Sequence, residues 1–263
     1  MILRGRAISP GKAEGRVLKL NGTFSFLGGV NASTGDLNTG EGNVAGKVFV
    51  FSGGKGSTVG SFVMYDLMVH GKAPAAVVNR AAETIVTTGA VISSIPMVDR
   101  IDIDLLFNGD EVTVNGDEGT VEIKGTRMIR VVSSALLNES GRILLLQRPD
   151  NARSFPGTRS LVAGKIEAGE DIESAAVREI FEETQIHVSK PAASMPPIYV
   201  REGDIVWEVY PFLFRAGDQE PILNKENVSC GWVAPDEIKN DRSVVPQTND
   251  VVKKMLRSIA GQQ

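Results

Sequence analysis

Residues Gly164–Ile186 read GKIEAGEDIESAAVREIFEETQI. Glu170, Arg178, Glu179, Glu182 and Glu183 fall in this one short segment. On a helix, Glu179, Glu182 and Glu183 stand at i, i+3 and i+4 and share a face. Like charges at those spacings repel and weaken a helix. A chain that keeps three carboxylates together against that repulsion is expected to give them a cation to hold. All-oxygen ligands suit Mg²⁺ or Mn²⁺. The apolar residues Ile172, Ala176, Ile180 and Phe181 form a second stripe, which predicts that the helix is anchored on a sheet with its acidic face at the core edge.

The spacing of this stretch resembles the Nudix box, G-x5-E-x7-R-E-U-x-E-E-x-G-U, where U is a bulky aliphatic residue. Gly164 opens it, Glu170 follows after five residues, and Arg178-Glu179-Ile180 comes after seven more. Phe181 takes the free position, and Glu182-Glu183-Thr184 completes the acidic run. Gln185 stands where the family has Gly, so the helix is expected to end in a strained left-handed residue with the acidic set intact. The resemblance implies an α/β/α sandwich and attack of water on a diphosphate-linked small molecule. It assigns Gly164, Glu179, Glu182 and Glu183 to a divalent metal, Mg²⁺ or Mn²⁺. It makes Arg178 an orienting cation for the carboxylates, and Glu170 either a brace for the loop or a proton acceptor. Glu226, in LNKENVSCGWV, sits where many members carry a further metal-binding or basic Glu. Nucleoside diphosphate derivatives dominate the family and are the first substrate class; isoprenoid diphosphates are the second.

Outside that segment, the chain has 263 residues, enough for one large or two ordinary domains. Net charge is −4, with 11 basic and 13 acidic residues in 1–125 and 17 and 19 in 126–263. Neither half is polybasic, so a nucleic acid polymer is not an expected partner. The one cysteine, Cys230, excludes an intrachain disulfide and an all-cysteine cluster site. No run approaches the ~20 apolar residues of a membrane span, and MILRGRAISPGKAEG lacks a signal-peptide core. A soluble cytoplasmic protein is expected, with a homo-oligomer allowed. The two histidines, His70 and His187, are weak candidates for catalysis.

Residues 1–125 are Gly-rich, with β-prone runs at 44–51, 75–78, 111–114 and 120–123. Gly28-Gly29, Gly53-Gly54, Asn108-Gly109 and Asn115-Gly116 read as turns. One helix is predicted from Ser57, as N-cap, to about Val69, with Val59, Phe62, Val63 and Leu67 as its core stripe. The pattern changes after Gly125, which sets domains of 1–125 and 126–263. In the second, 129–137 and 143–147 read as paired strands, and a terminal helix is predicted near 248–259.

GGKGST (53–58) frees its backbone with glycines, places Lys55, and precedes a helix, an arrangement that favours an anion. A tight turn is the plainer alternative. Lys55 precedes its Gly, so the loop is not a Walker A loop. TFSFLGGVNASTGDL, VAGKVFVFSGGKGSTVGSFVMYDL and GKAPAAVVNRAAETIVTTGAVISSIPMVD together resemble the small subunit of aconitase X, also associated with archaeal phosphomevalonate dehydratase. That resemblance implies a β-rich β/β/α swivel domain and points to Ser57 as an acid–base residue. It also implies a large subunit bearing the cysteine-bound cluster as partner, because one cysteine cannot supply one. Family members carry a His-Pro pair where this chain reads Thr39-Gly40-Glu41-Gly42, so dehydratase activity of this half alone is not expected. Two readings follow: a metal-dependent Nudix pyrophosphohydrolase fused to a swivel domain, or a non-catalytic partner subunit whose Nudix domain senses a metabolite.

Overall fold

The computed structural model describes residues 1–260. The chain divides into two compact units, Met1–Arg127 and a second from Met128 onward. Among the described residues, no helix is long and apolar enough to cross a membrane.

The first unit contains β1 (Ile2–Arg4), β2 (Arg6–Ser9), β3 (Lys12–Lys19), β4 (Thr23–Phe24), β5 (Val48–Phe51), β6 (Gly53–Gly54) and α1 (Val59–Val69). β7 (Ala76–Asn79), α2 (Thr84–Ile92), β8 (Met97–Asp99), β9 (Glu111–Asn115) and β10 (Thr120–Ile123) complete it. The sheet order is β1-β10-β9-β3-β5-β7-β8-β2. Its centre is parallel, β3 to β5 to β7 to β8, and its flanks are antiparallel. β5 reads Val-Phe-Val-Phe and every residue of it is buried, as expected for a strand covered on both faces. Phe49 and Phe51 face the α1/α2 side, where they meet Phe24 and Phe26 with ring centroids 4.8–6.1 Å apart. Each such side chain contributes about 1.5–3 kcal/mol of burial as an upper estimate. This is the swivel architecture expected from the sequence.

Three local expectations for this unit are corrected. Gly53-Gly54 is not a turn but a short strand, paired in parallel with Thr23-Phe24. The N-cap position of α1 is Thr58, not Ser57. Ser57 lies one residue further out and still serves the first turn: its carbonyl accepts from Gly60 N and its Oγ from Val59 N at 3.3 Å. The buried face of α1 is Gly60, Ser61, Met64 and Leu67, whereas Val59 and Phe62 are exposed. Small residues win that face because α2 crosses close by: a Cβ on Gly60 would already stand 3.1 Å from Ile85.

The second unit contains β11 (Arg127–Leu137), β12 (Ile143–Gln147), β13 (Arg159–Ser160), β14 (Val162–Lys165), α3 (Ile172–Thr184) and β15 (Ala193–Ser194). β16 (Ile198–Glu202), β17 (Ile205–Arg215), β18 (Ser229–Val233), α4 (Pro235–Asn240) and α5 (Thr248–Ala260) follow. The main path is β13-β12-β11-β17-β15, with β14 on β11, β16 on β17 and β18 on β12. Alternation along β11 and β12 divides the core. Val132, Leu136, Leu144 and Leu146 pack under Ala175, Ala176 and Ile180 of α3. Ala135, Leu137, Ile143 and Leu145 pack on the other face against Val251, Val252 and Met255 of α5 and Ile238 of α4. That is the α/β/α sandwich. β11 and β12 meet through Asn138, whose Oδ1 accepts from Arg142 N, with Gly141 at φ +72° in the turn.

Candidate functional site

The site is built on α3 and the strand and loop before it. Asp171 caps the helix by accepting from Ser174 N at 3.0 Å, and Glu173 adds negative charge to the first turn. The helix ends at Gln185 in the left-handed conformation, φ +57° and ψ 12°. Its N–H donates to Phe181 O at 2.9 Å, and its side-chain Nε2 donates to the same carbonyl at 3.1 Å. The strained end expected from Gln185 is present, with a side-chain bond that offsets part of its cost. Phe181 departs from expectation. It is exposed and rests against the His187 ring at 4.9 Å, because Glu183 and Thr184 take the buried positions of that turn.

Arg178 is the hub. Its Nε donates to Glu170 Oε1 at 2.8 Å and its Nη2 to Glu170 Oε2 at 3.0 Å. Nη1 reaches Glu179 Oε1 at 2.8 Å and Glu182 Oε2 at 3.1 Å, and Nη2 also donates to the Lys165 carbonyl at 3.0 Å. One guanidinium therefore ties the loop, the strand β14 and two helix carboxylates together. Glu170 Oε2 also accepts from Glu167 N at 2.9 Å. The Arg178 hydrogen bonds hold the Glu170 carboxyl down at about 2, and Glu170 in turn raises the Arg178 guanidinium.

The remaining carboxylates are pushed the other way. Burial raises Glu179; Arg178 opposes that rise, and the charges of Glu182 and Glu226 add to it. Glu183, 5 % exposed, is pushed up to about 8 by burial. Asn227 Nδ2 donates to its Oε2 at 2.9 Å and the Ala163 backbone eases it further, while Glu179 and Glu226 add repulsion. Of Glu179, Glu182 and Glu183, Glu182 is the most open to water. Glu226 is exposed on the loop before β18, close enough for its charge to bear on Glu179 and Glu183. The structure thus brings Glu179, Glu182, Glu183 and Glu226 into one electrostatic neighbourhood.

Gly164 explains how Glu179 fits. A Cβ there would stand 1.8 Å from Glu179 Cδ and 2.0–2.1 Å from its two oxygens. The carboxylate lies in the space a side chain would fill. Among the described residues, no three His, Cys, Asp or Glu side chains converge as a finished metal cage. The reason is visible: Glu179 and Glu182 are both turned to Nη1 of Arg178. The donor set nonetheless fits a hard divalent cation, being all oxygen, crowded with like charge, and including a buried carboxylate, Glu183, that forms no ion pair among the described residues. Asn227 and the Lys165 carbonyl escaped sequence reading. A buried Asn inside NKENVS has no periodicity to mark it, and a carbonyl has no sequence signature.

Ser57 belongs to the first unit and is exposed, as is Lys55. Their loop requires its glycines. A Cβ on Gly54 would stand 2.0 Å from Glu83 Oε1, and Gly56, at φ +104°, would place one 2.7 Å from Ser25 Oγ. Glu83, also unforeseen from sequence, caps α2 by accepting from Ile85 N and Val86 N at 2.7 and 2.8 Å. His70 ends α1, with Nδ1 2.9 Å from Asp66 O.

Comparison with known proteins gives two domains. A family model described as the aconitase X swivel domain matches residues 2–123, and one described as the NUDIX domain matches 127–255. The phosphomevalonate dehydratase small subunit of Thermococcus onnurineus is 50 % identical over 129 residues, covering 47 % of this chain and 99 % of that protein. The small subunit from Methanocella arvoryzae is 47 % identical over 131 residues, with coverages of 47 % and 99 %. Among solved structures, the holo form of Thermococcus kodakaraensis aconitase X is 50 % identical, covers 47 % of this chain and 98 % of its own, and has a TM-score of 0.46. A MutT protein from Methanosarcina mazei is 24 % identical, with coverages of 51 % and 96 % and a TM-score of 0.44.

Proposed function

The chain belongs to the aconitase X swivel family over its first half and carries a NUDIX domain over its second, and from that premise we propose that it is a divalent-metal-dependent pyrophosphohydrolase acting on a diphosphate-linked small molecule. The observation that carries this reading is the carboxylate neighbourhood of Glu179, Glu182, Glu183 and Glu226, with Arg178 bonded to the first two and Gly164 clearing the space for Glu179. Glu179, Glu182, Glu183 and Glu226 would hold Mg²⁺ or Mn²⁺, with the Gly164 segment beside them. When bound, such an ion offsets phosphate charge and lowers the pKa of its water. Arg178 fixes the directions of Glu179 and Glu182. Glu170, with both oxygens engaged by Arg178 and Glu167 N, braces the loop onto the helix, which favours that role over proton acceptor. A nucleoside diphosphate derivative is the first substrate class and an isoprenoid diphosphate the second.

A second reading is favoured by one observation: 47 % of this chain matches 99 % of the length of proteins named as small subunits. On that reading the first unit pairs with a larger, cluster-bearing subunit and the second serves it as a non-catalytic metabolite sensor. Release of phosphate or monophosphate separates the readings. ADP-ribose, dinucleotides, nucleoside triphosphates, and isopentenyl and dimethylallyl diphosphates are assayed with Mg²⁺ and with Mn²⁺, with Glu182→Gln as control. Turnover that falls by more than about 100-fold in Glu182→Gln supports the hydrolase. Silence across the panel in folded, metal-binding protein rejects it in favour of the sensor.

A further inference from the structure

In the second unit, α4 and α5 cover the face of the sheet opposite α3 and its carboxylates. An open groove of about 250 Å³ runs between these two helices. Its α5 wall is Asn249, Val252, Lys253, Leu256 and Arg257, at i, i+3, i+4, i+7 and i+8, which is one stripe of the helix. Its α4 wall is Pro235, Asp236 and Lys239. Pro235, Val252 and Leu256 give the groove an apolar floor, and the last two are joined to the core beneath. Lys239, Lys253 and Arg257 stand exposed at the rim, and none of them forms an ion pair among the described residues. Lys253 and Arg257 repel one another at i, i+4. The helix dipoles account for Arg257 and Lys239, which lie in the last turns of α5 and α4. They do not account for Lys253, in the middle of α5.

We propose that this groove is a second small-molecule site, which takes a phosphate ester of a short hydrocarbon chain. It rests on neither reading of the carboxylates given above. Three observations select that ligand. The first is charge: three cations and one acid, Asp236, leave the lining at +2, which matches the −1.5 to −2 of a phosphate monoester and exceeds the charge of a carboxylate. Two lysines and an arginine also supply N–H donors of the kind that phosphate oxygens accept from most strongly. The second is the floor, which offers Val252 and Leu256 to the part of the ligand behind the anion. The third is size. A volume of about 250 Å³ lies below the ~300 Å³ at which pockets for drug-sized ligands begin, so the groove suits a small ester better than a nucleotide. Such a ligand keeps its phosphate at the wet rim and lays its chain along α5. It touches both helices at once, so its binding stabilises the second unit.

The test titrates the full chain with monobutyl phosphate, inorganic phosphate and butanol by calorimetry. A chelator is present, so that no divalent ion draws phosphate to the carboxylates. Monobutyl phosphate is expected to bind, inorganic phosphate to bind about tenfold more weakly for want of a chain to cover the floor, and butanol to give no heat. The double variant Lys253→Gln/Arg257→Gln should weaken the ester about tenfold or more, and Lys239→Gln alone about threefold. Lys254→Gln removes the same charge from the same helix outside the groove and should change affinity by less than about twofold. All these side chains are exposed, so the unliganded variants should keep the wild-type circular dichroism and melting curve. Monobutyl phosphate should raise the fluorescence-detected melting temperature of the wild type and leave that of the double variant unmoved. No heat from monobutyl phosphate with the wild-type chain overturns the site. Equal affinity for inorganic phosphate overturns the hydrocarbon part of the ligand. A loss in Lys254→Gln as large as in the double variant overturns the groove in favour of the general field of α5. A wild-type homodimer that binds no ester and that the double variant dissolves overturns the proposal in favour of a second copy as occupant.

Discussion

Replacing Gly164 with Ala asks whether the Glu179 carboxylate lies where the site depends on it. The new methyl would stand 1.8 Å from Glu179 Cδ, far inside contact. Gly164 is outside the left-handed region, so Ala adopts the backbone without strain. The side chain of Glu179 must then swing away and give up its 2.8 Å bond from Arg178 Nη1. A charge-assisted bond between partners only 27 % and 13 % exposed is worth about 1.5–3 kcal/mol. Removing a glycine from a strand returns about 0.5–1 kcal/mol. The second unit should therefore lose about 1–2 kcal/mol. Urea unfolding followed by tryptophan fluorescence measures this unit alone, because the chain's two tryptophans, Trp207 and Trp232, both lie in it. In a Glu179→Ala background the methyl meets no carboxylate, and Gly164→Ala should become neutral or stabilising. The two substitutions are thus expected to couple by about 2 kcal/mol. Costs that add to within about 0.5 kcal/mol would refute the placement of Glu179 against Gly164.

Gln185→Gly should stabilise the second unit by about 0.5–1 kcal/mol, since it removes the left-handed strain at the end of α3 and loses only an exposed side-chain bond; an unchanged or lowered urea midpoint counts against that account. Arg178→Lys keeps the charge but cannot reach Glu170, Glu179 and Glu182 together, so turnover should fall about 10–100-fold, and parity with wild type would remove Arg178 from its positioning role. Glu170 supplies a pH dependence. Its carboxyl drops from 4.5 to about 2 in the folded chain, so its stabilisation is complete above pH 4.5 and is lost as pH falls from there toward 2. Acid titration of tryptophan fluorescence should show that loss, and Glu170→Gln should flatten it; a variant with the same acid limb would assign it to other groups.

The acidic helix was legible because its chemistry is written in spacing. Five charged residues at fixed offsets leave one helical face for Glu179, Glu182 and Glu183, and an apolar face of Ala176 and Ile180 to anchor it. Strands such as Val48–Phe51 and Glu111–Asn115 were legible through β-branched and aromatic runs between turn residues. What failed to read was any choice settled by a distant neighbour. α2 has the sequence TIVTTGAVI, which favours a strand locally. It is a helix because Glu83 caps it and because Gly89 lets it lie against Met64 of α1. Likewise, periodicity marks Val59 and Phe62 as apolar without saying whether that face meets the core. Gly60 and Ser61, which look like weak core residues, take it because only small side chains admit α2.

The same logic bears on Arg178. Its bonds are divided between a fixed partner, Glu170, and two carboxylates proposed as metal ligands, Glu179 and Glu182. The pair with Glu170 is bidentate and anchored further by Glu167 N and the Lys165 carbonyl, so it persists whatever happens on the helix face. Its bonds to Glu179 and Glu182 come from one nitrogen, Nη1, shared between two acceptors at 2.8 and 3.1 Å. A divalent cation held as proposed would compete for those two carboxylates with a far denser charge, and for Glu183, which Arg178 does not touch. On the proposed reading, Arg178 would release Glu179 and Glu182 to the ion and keep its own place through Glu170 and the Lys165 carbonyl. The prediction is specific: in the metal-free chain, Arg178→Gln should destabilise the second unit, and saturating Mg²⁺ should recover part of that loss as a rise in the fluorescence-detected melting temperature. A loss that Mg²⁺ leaves untouched, in a variant that still binds the ion, would mean that Arg178 acts only through Glu170.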